Sequence, residues 1–323
     1  MSLNLRTIDL FCGCGGFSLG FRNAGYSVVA AFDHWQPALR TYRANIHDHT
    51  AYEYDLSTMH GDEPLIQACG ANVIIGGPPC QDFSSAGKRD EGGGRADLTT
   101  TFAAIVATAR PQWFVMENVE RAATSRAFDT ARAMFKRAGY GLSETVLDAS
   151  LCGVPQVRKR LFMLGERGGQ DGAVLPYLHK NLAAKPMTVH DYFGARIDIN
   201  HYYRHPRSYA RRGVFSIDEP SPTIRGVNRP IPPLYKPHPG DTAPPSSNLR
   251  PLTTQERAMI QTFPPHWVWN GTKADVEQLI GNAVPVKLAE YVARCLVDYM
   301  ERKPMPSHRP MEQLALDLDL RPA

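Results

Sequence analysis

A cysteine set directly behind two prolines is the most pointed chemical feature of this sequence, in Gly76-Gly77-Pro78-Pro79-Cys80-Gln81-Asp82-Phe83-Ser84. The prolines fix the backbone that aims the Cys80 thiol, which suits a nucleophile that must meet an electrophile from one direction. A lone cysteine is more often buried and inert; the Pro-Pro pair shifts the reading toward chemistry. Glu117-Asn118-Val119 follows the apolar run Trp113 to Met116. A carboxylate in such surroundings has a raised pKa and can donate a proton, although the same acid would also serve as a helix cap. Gln156-Val157-Arg158-Lys159-Arg160 puts two arginines at i and i+2, on one face of a strand. On an edge strand the same charges would simply discourage aggregation. Near the start, Asp9-Leu10-Phe11-Cys12-Gly13-Cys14-Gly15-Gly16-Phe17-Ser18 reads as a strand, a glycine turn and a helix. The glycines let a ligand approach the backbone at a helix N-terminus, and a tight structural turn meets the pattern equally. Asp33 closes the next apolar run, where an acid can bond ribose hydroxyls. The pair points to an adenosine-type ligand without saying which.

The elements that must position these residues follow from hydropathy. Apolar runs at Leu5 to Phe11, Val28 to Asp33, Ala51 to Asp55, Val73 to Gly76, Gln112 to Glu117 and Arg160 to Gly165 are expected strands. Helical patterns lie between them at Pro37 to Asn45, Thr99 to Ala109 and Phe128 to Ala138. The alternation predicts an α/β fold with a doubly wound, mostly parallel sheet, whose ligands bind at the carboxyl ends of the strands. The expected division is a catalytic and cofactor-binding domain over 1–167, a loop-rich domain over 168–249, a segment over 250–302 returning to the first domain, and a tail over 303–323. Ten prolines between Pro220 and Pro251 exclude a regular helical layer there. Helical patterning returns at Thr253 to Gln261 and from Pro285, suited to a first helical position, to about Met300.

Composition narrows the class. Hydrophobic residues make up 43% and charged residues 21%, which excludes global disorder. The longest apolar run, Phe102 to Ala107, is far short of the ~20 residues that span a bilayer. The N-terminus lacks signal-peptide character and the six cysteines lack metal-type spacing, so a cytoplasmic protein with free thiols and no metal is expected. Between Arg196 and Arg229 seven arginines stand against Asp198, Asp218 and Glu219, a local excess equal to the whole chain's +4. Mixed with Tyr202, Tyr203 and Tyr209, the cluster fits a polyanion such as DNA or RNA, or else a solvated basic face.

The order of these motifs, continued by Arg250-Pro-Leu-Thr-Thr-Gln-Glu-Arg257 and Gly281-Asn282-Ala283-Val284-Pro285, resembles the DNA (cytosine-5)-methyltransferases of bacterial and phage type, over about Arg6 to Leu296. The resemblance implies a methyl transfer from S-adenosyl-L-methionine to C5 of a flipped-out cytosine, through a covalent bond between Cys80 and C6. Glu117 would protonate or bond N3, and Arg160, with Arg158 nearby, would bind O2. Phe11, Gly13, Gly15, Gly16, Asp33, Asp55, Pro79, Leu98, Asn282 and Val284 would form the cofactor pocket. His34 stands where the family often has tryptophan, with Trp35 one place later, which leaves the adenine-stacking partner open. Thr223-Ile224 matches the Thr-aliphatic element of target-recognition domains in this family. Double-stranded DNA would be met by Gln81, Ser84, Arg204, Arg207, Arg211, Arg212, Thr223 and Arg225, by a monomer serving restriction-modification or self-protection. An RNA cytosine-5 methyltransferase, a catalytically inactive DNA-binding partner and a nicotinamide oxidoreductase are the competing readings. Gln313-Leu314-Ala315-Leu316-Asp317-Leu318 resembles the short peptides that dock into a bacterial sliding clamp. Its alternating leucines also fit an edge strand or a segment packed on the domain.

Overall fold

Seven strands form one sheet in the computed structural model of the protein, which describes residues 5–59, 70–79, 97–206, 208, 210–245 and 248–301. The strands are β1 (Arg6–Leu10), β2 (Ser27–Asp33), β3 (Thr50–Glu53), β4 (Val73–Gly76), β5 (Trp113–Val119), β6 (Tyr140–Asp148) and β8 (Lys159–Arg167), in the order β3-β2-β1-β4-β5-β8-β6. The first five run parallel, and β8 runs antiparallel to both of its neighbours. The reason is legible in β4, whose Val73, Ile74 and Ile75 are all fully covered. A strand clothed by helices on both faces needs an unbroken β-branched run rather than alternation.

Helices α3 (Leu98–Ala109) and α4 (Arg126–Arg137) cover one face, where Phe102, Phe114, Phe128 and Phe135 meet Ile8 and Phe32. The other face carries α1 (Gly16–Asn23) and the C-terminal α9 (Val286–Met300), through Phe17, Phe21, Val292 and Leu296. Val174 and Leu178, the latter in α5 (Leu175–Lys180), join this second layer. A third cluster seats the rest of the chain against α2 (Gln36–Arg43): Leu39 and Tyr42 pack with Val189 of α6 (Val189–Phe193) and with Phe263, Trp267 and Ile280.

Every expected strand and helix of the first half forms, with ends shifted by a few residues. Besides α5, α6 and the short strands of the loop-rich stretch, two elements were not anticipated. One is β6, whose Ser143, Glu144 and Thr145 disguise it; Glu144 pairs with Arg132 of α4 at 2.7 Å, and Thr145 bonds His179 at 3.0 Å. The other is α8 (Lys273–Asn282), which follows α7 (Thr254–Ile260); both open on threonine capping boxes, at Thr272 and Thr253. Pro285 is the N-cap of α9 rather than its first residue. The loop-rich stretch holds a hairpin of β9 (His201–Tyr203) and β10 (Val214–Ser216), and β11 (Ser221–Pro222) lies parallel to β7 (Gln156–Val157).

Candidate active site

Because β1 to β5 are parallel, their carboxyl ends share one edge of the sheet, and the reversed β8 begins at that edge. Val119 at the end of β5 pairs with Arg160 at the start of β8. Glu117 and Arg160 meet there: the Arg160 Nε lies 2.8 Å from the Glu117 carboxylate. Burial pushes the Glu117 carboxyl above the usual range, more than the neighbouring Arg160 and Arg158 guanidinium groups pull it down. A carboxyl group so raised holds a proton more readily than a solvated one.

The chain that leads into Cys80 is fastened to the same place. Asn118 Nδ2 donates to the Pro78 carbonyl at 3.1 Å, and a Cβ on Gly77 would stand 3.1 Å from Glu117 Oε2. Gly77 thus lets the Pro-Pro stretch pass beside the carboxylate, and Asn118 pins it. Neither residue was assigned a role from sequence, although both adjoin recognised motifs. Cys80, Gln81, Ser84, Arg207 and the 303–323 tail lie outside the described residues. Among the described cysteines, Cys12, Cys14, Cys152 and Cys295 are buried; burial pushes the Cys14 and Cys295 thiols to about 12, away from nucleophilic use.

Arg158 occupies a different place from the one expected. Strand β7 stops at Val157 and β8 starts at Lys159, so the two arginines do not share a strand face. Arg158 is 1% exposed and donates to the carbonyls of Ile224 (3.0 Å), Gly281 (2.9 Å) and Ala283 (3.1 Å). It is a buried clamp, with Arg160 alone of the pair reaching the cleft.

Of the expected cofactor residues, Phe11, Gly13, Asp33 and Asp55 lie at or just past the carboxyl ends of β1, β2 and β3. Phe11 and Gly13 both adopt left-handed backbone, with φ of 60° and 54°. No described atom lies within 4 Å of where a Gly13 Cβ would stand, so the turn presents an open face. Asp33 accepts the amides of Gly13 (2.9 Å) and Trp35 (2.8 Å), which ties the turn to the end of β2 and leaves further lone pairs on both oxygens. Asp55 caps the next turn by accepting from Ser57. Leu98 is buried at the start of α3, while Asn282 and Pro79 are exposed. His34 is exposed, whereas Trp35 packs into the third core cluster. Gly15 and Gly16 also serve packing: a Cβ on Gly16 would overlap the Val284 carbonyl, and one on Gly15 would press on Tyr42 and Ile46. Glycine here seats Val284 against α1. The open turn, the carboxylate of Asp33 and the amides at the start of α1 fit the adenosine, ribose and charged groups of S-adenosylmethionine.

Next to the Glu117–Arg160 pair opens a cleft of about 990 Å³, at the upper end of ligand-pocket sizes. Arg121, Lys159, Arg160, Arg204, Arg211, Arg212 and Arg225 line it, against Glu120 and Glu219. Several of these cations are already engaged. Arg212 pairs with Glu219 and lies over the Phe215 ring, Arg204 donates to the Thr223 carbonyl at 2.7 Å, and Arg225 donates to the His205 carbonyl. Thr223 lines the cleft and donates to the Val157 carbonyl at 2.8 Å. Arg121 and Lys159 were not anticipated as cleft residues; only their closeness to the Glu-Asn-Val and Gln-x-Arg-x-Arg motifs marked them.

A mostly parallel seven-stranded sheet with one reversed strand, an open glycine turn tied to an acid, and a carboxylate–guanidinium pair beside a basic cleft define a methyltransferase acting on a polyanion. The family described as C-5 cytosine-specific DNA methylase matches residues 5–298. The chain belongs to that family; it is a DNA (cytosine-5)-methyltransferase whose methyl donor is S-adenosylmethionine. It is 54% identical to the Type II methyltransferase M.HgiDI of Herpetosiphon aurantiacus over 93% of this chain and 97% of that protein. It is 50% identical to the Type II methyltransferase M.HindV of Haemophilus influenzae, over 94% and 99%. The fold is shared with a DNA modification methyltransferase encoded within an E. coli prophage, at a TM-score of 0.67 and 22% identity over 92% of this chain and 99% of that one. It is shared also with the Dnmt2 methyltransferase of S. pombe, at 0.65 and 19% over 92% and 99%. Among the described residues no helix is long and apolar enough to cross a membrane.

Proposed function

We propose that the protein is a sequence-specific modification enzyme of the restriction-modification type, in which Cys80 is the nucleophile, Glu117 and Arg160 act on the target cytosine, and residues 168–249 read the site. One observation carries this reading: Asn118 pins Pro78, two residues before Cys80, beside the Glu117–Arg160 pair at the mouth of a basic cleft. The fastened Pro78 lies two residues before Cys80 in the chain, which supports that thiol as the nucleophile.

The residues divide the work as follows. The Cys80 thiolate forms a bond to C6, and the electrons of the C5–C6 double bond move toward N3. Glu117 gives its proton to N3, and Arg160 donates to O2, so the charge entering the ring is neutralised as it develops. When bound, S-adenosylmethionine would supply an electrophilic methyl sulfonium to C5, the S–methyl bond breaking to leave S-adenosylhomocysteine. A solvent base then takes the C5 proton, the C–H electron pair restores the double bond, and Cys80 leaves as thiolate while N3 returns its proton. The base must be out of the stack for Cys80 to reach C6. Asp33, Asp55, Phe11, Gly13, Leu98, Pro79 and Asn282 hold the donor. Arg211 and Arg212 meet the phosphates, and Gln81, Ser84, Arg204, Arg207, Thr223 and Arg225 the remainder of the DNA surface.

The test is Cys80→Ser, which should abolish both methyl transfer and covalent trapping by 5-fluorocytosine duplex, while Cys152→Ser retains both. An adduct formed by Cys80→Ser would refute the assignment. The enzyme is further proposed to work as a cytoplasmic monomer. Its tail is proposed to dock through Gln313 to Leu318 on a sliding clamp, raising its concentration at newly replicated DNA. A 311–323 peptide that fails to bind purified clamp at high micromolar concentration would remove that part.

A further inference from the structure

Gln156 and Arg158, the first members of the Gln-x-Arg-x-Arg run, are spent inside the protein, and together they grip one residue of the target-reading stretch. The Ile224 amide donates to Gln156 Oε1 at 2.8 Å, and its carbonyl accepts from Arg158 Nη1 at 3.0 Å. The same two side chains reach the loop around Asn282. Arg158 Nη2 holds the carbonyls of Gly281 and Ala283, on either side of Asn282. Gln156 Nε2 donates to Gln261 Oε1 at 2.7 Å, and Gln261 Nε2 donates onward to the Ala283 carbonyl at 3.2 Å. Packing places the loops against each other independently of these bonds: a Cβ on Gly281 would overlap the Gly226 amide and the Arg225 carbonyl carbon. Arg257 adds a second buried link, donating to the Arg225 carbonyl while paired with Glu277.

We infer that Arg158 and Gln156 are positioning residues that couple the target-reading segment 221–226 to the cofactor loop 281–284, so that filling one side changes affinity on the other. The inference rests on the proposed roles of Asn282 and of residues 168–249. Arg158 and Gln156 are 1% and 0% exposed. A buried guanidinium cannot release one carbonyl without losing compensation for its charge, so the two loops shift together. Thr223 and Arg225 flank Ile224 and line the cleft. A cofactor that draws Asn282 inward therefore sets the position of the residues that face DNA. Such coupling is reciprocal.

The experiment measures duplex affinity with and without saturating S-adenosylhomocysteine, using the full chain and a duplex that the wild type methylates. Wild type should bind DNA at least fivefold more tightly with the cofactor product present. Arg158→Gln should bring that ratio below twofold and Arg158→Lys should restore part of it. A purely structural role would weaken both ligands and leave the ratio unchanged, which would overturn the inference. Hydrogen exchange on the unmodified protein guards against a variant that does not fold. S-adenosylhomocysteine alone should slow exchange in 221–226 as well as in 281–284, and protection confined to 281–284 would equally overturn it. Wild type that methylates DNA but shows a ratio of one defeats only the coupling; wild type that binds neither ligand defeats the functional reading with it.

Discussion

Replacing Asn118 by alanine tests whether the site is built by the joint between β5 and the Pro-Pro loop. Asn118 is 4% exposed; its Nδ2 donates to the Pro78 carbonyl and its Oδ1 accepts the Val119 amide at 2.8 Å. Removing the side chain deletes both bonds at a covered position. At about 1–1.5 kcal/mol net for each, and more where a partner is left buried and unpaired, the cost is about 2–4 kcal/mol of stability. The larger effect should fall on chemistry, because Pro78, two residues before the proposed nucleophile Cys80, then loses the contact that fastens it to β5. A misplacement of about 1 Å costs on the order of 100-fold in rate, equivalent to about 2.7 kcal/mol of activation free energy. Single-turnover transfer of labelled methyl groups should therefore fall about 100-fold with DNA affinity changed less than threefold, at a temperature where the variant stays folded. A variant that loses stability but keeps its rate within twofold of wild type would show that Cys80 is positioned by something other than this joint.

Three further outcomes follow from the same geometry. Asp9 is fully buried, with a carboxyl raised to about 7 chiefly by burial, with Ser18 donating to Oδ2 at 2.6 Å. A group raised in the folded state stabilises below its unfolded pKa of ~4 and loses that contribution as pH rises through 7. Asp9→Asn should thus gain on wild type in melting temperature between pH 5 and pH 8.5, and a difference that does not vary with pH would refute the assignment. Arg211→Ala should weaken binding to all sequences and lower the slope of log affinity against log salt by about one; an unchanged slope would remove Arg211 from the phosphate contacts. Exchanging 168–249 for the matching segment of a relative should change the methylated sequence read by bisulfite sequencing; an active chimera with the original preference would mean that the target is read elsewhere.

What was legible in the sequence was what is local in the chain. Glu117 after an apolar strand and the glycine turn announce themselves within ten residues, as does the apolar run Val73 to Ile75 of β4. Contacts across the chain were not legible. Arg158 was read by strand periodicity as a partner of Arg160, but β7 stops one residue earlier and the side chain turns toward carbonyls 66 to 125 residues away. Nor was the engagement of Arg212 by Glu219 and the Phe215 ring legible. Strand β6 was hidden because its polar residues find their partners sideways, on α4 and at His179.

Two glycines on α1 have a bearing on the order in which the molecule comes together. Gly16 leaves no room beyond the Val284 carbonyl, and a Cβ on Gly20 would overlap Ala289 and the backbone of Val286 and Glu290. The first described helix thus has its partner in the last described one, more than 260 residues later in synthesis. At roughly 5–20 residues per second a nascent chain waits on the order of a quarter to a full minute before α1 can bury that side. The glycine turn that opens α1 stays loosely anchored for the whole interval, so nascent chains released before α9 should bind S-adenosylhomocysteine far more weakly than the finished protein. Equal binding by both would refute this. Methylating capacity accordingly arrives in one step, with the closing helix.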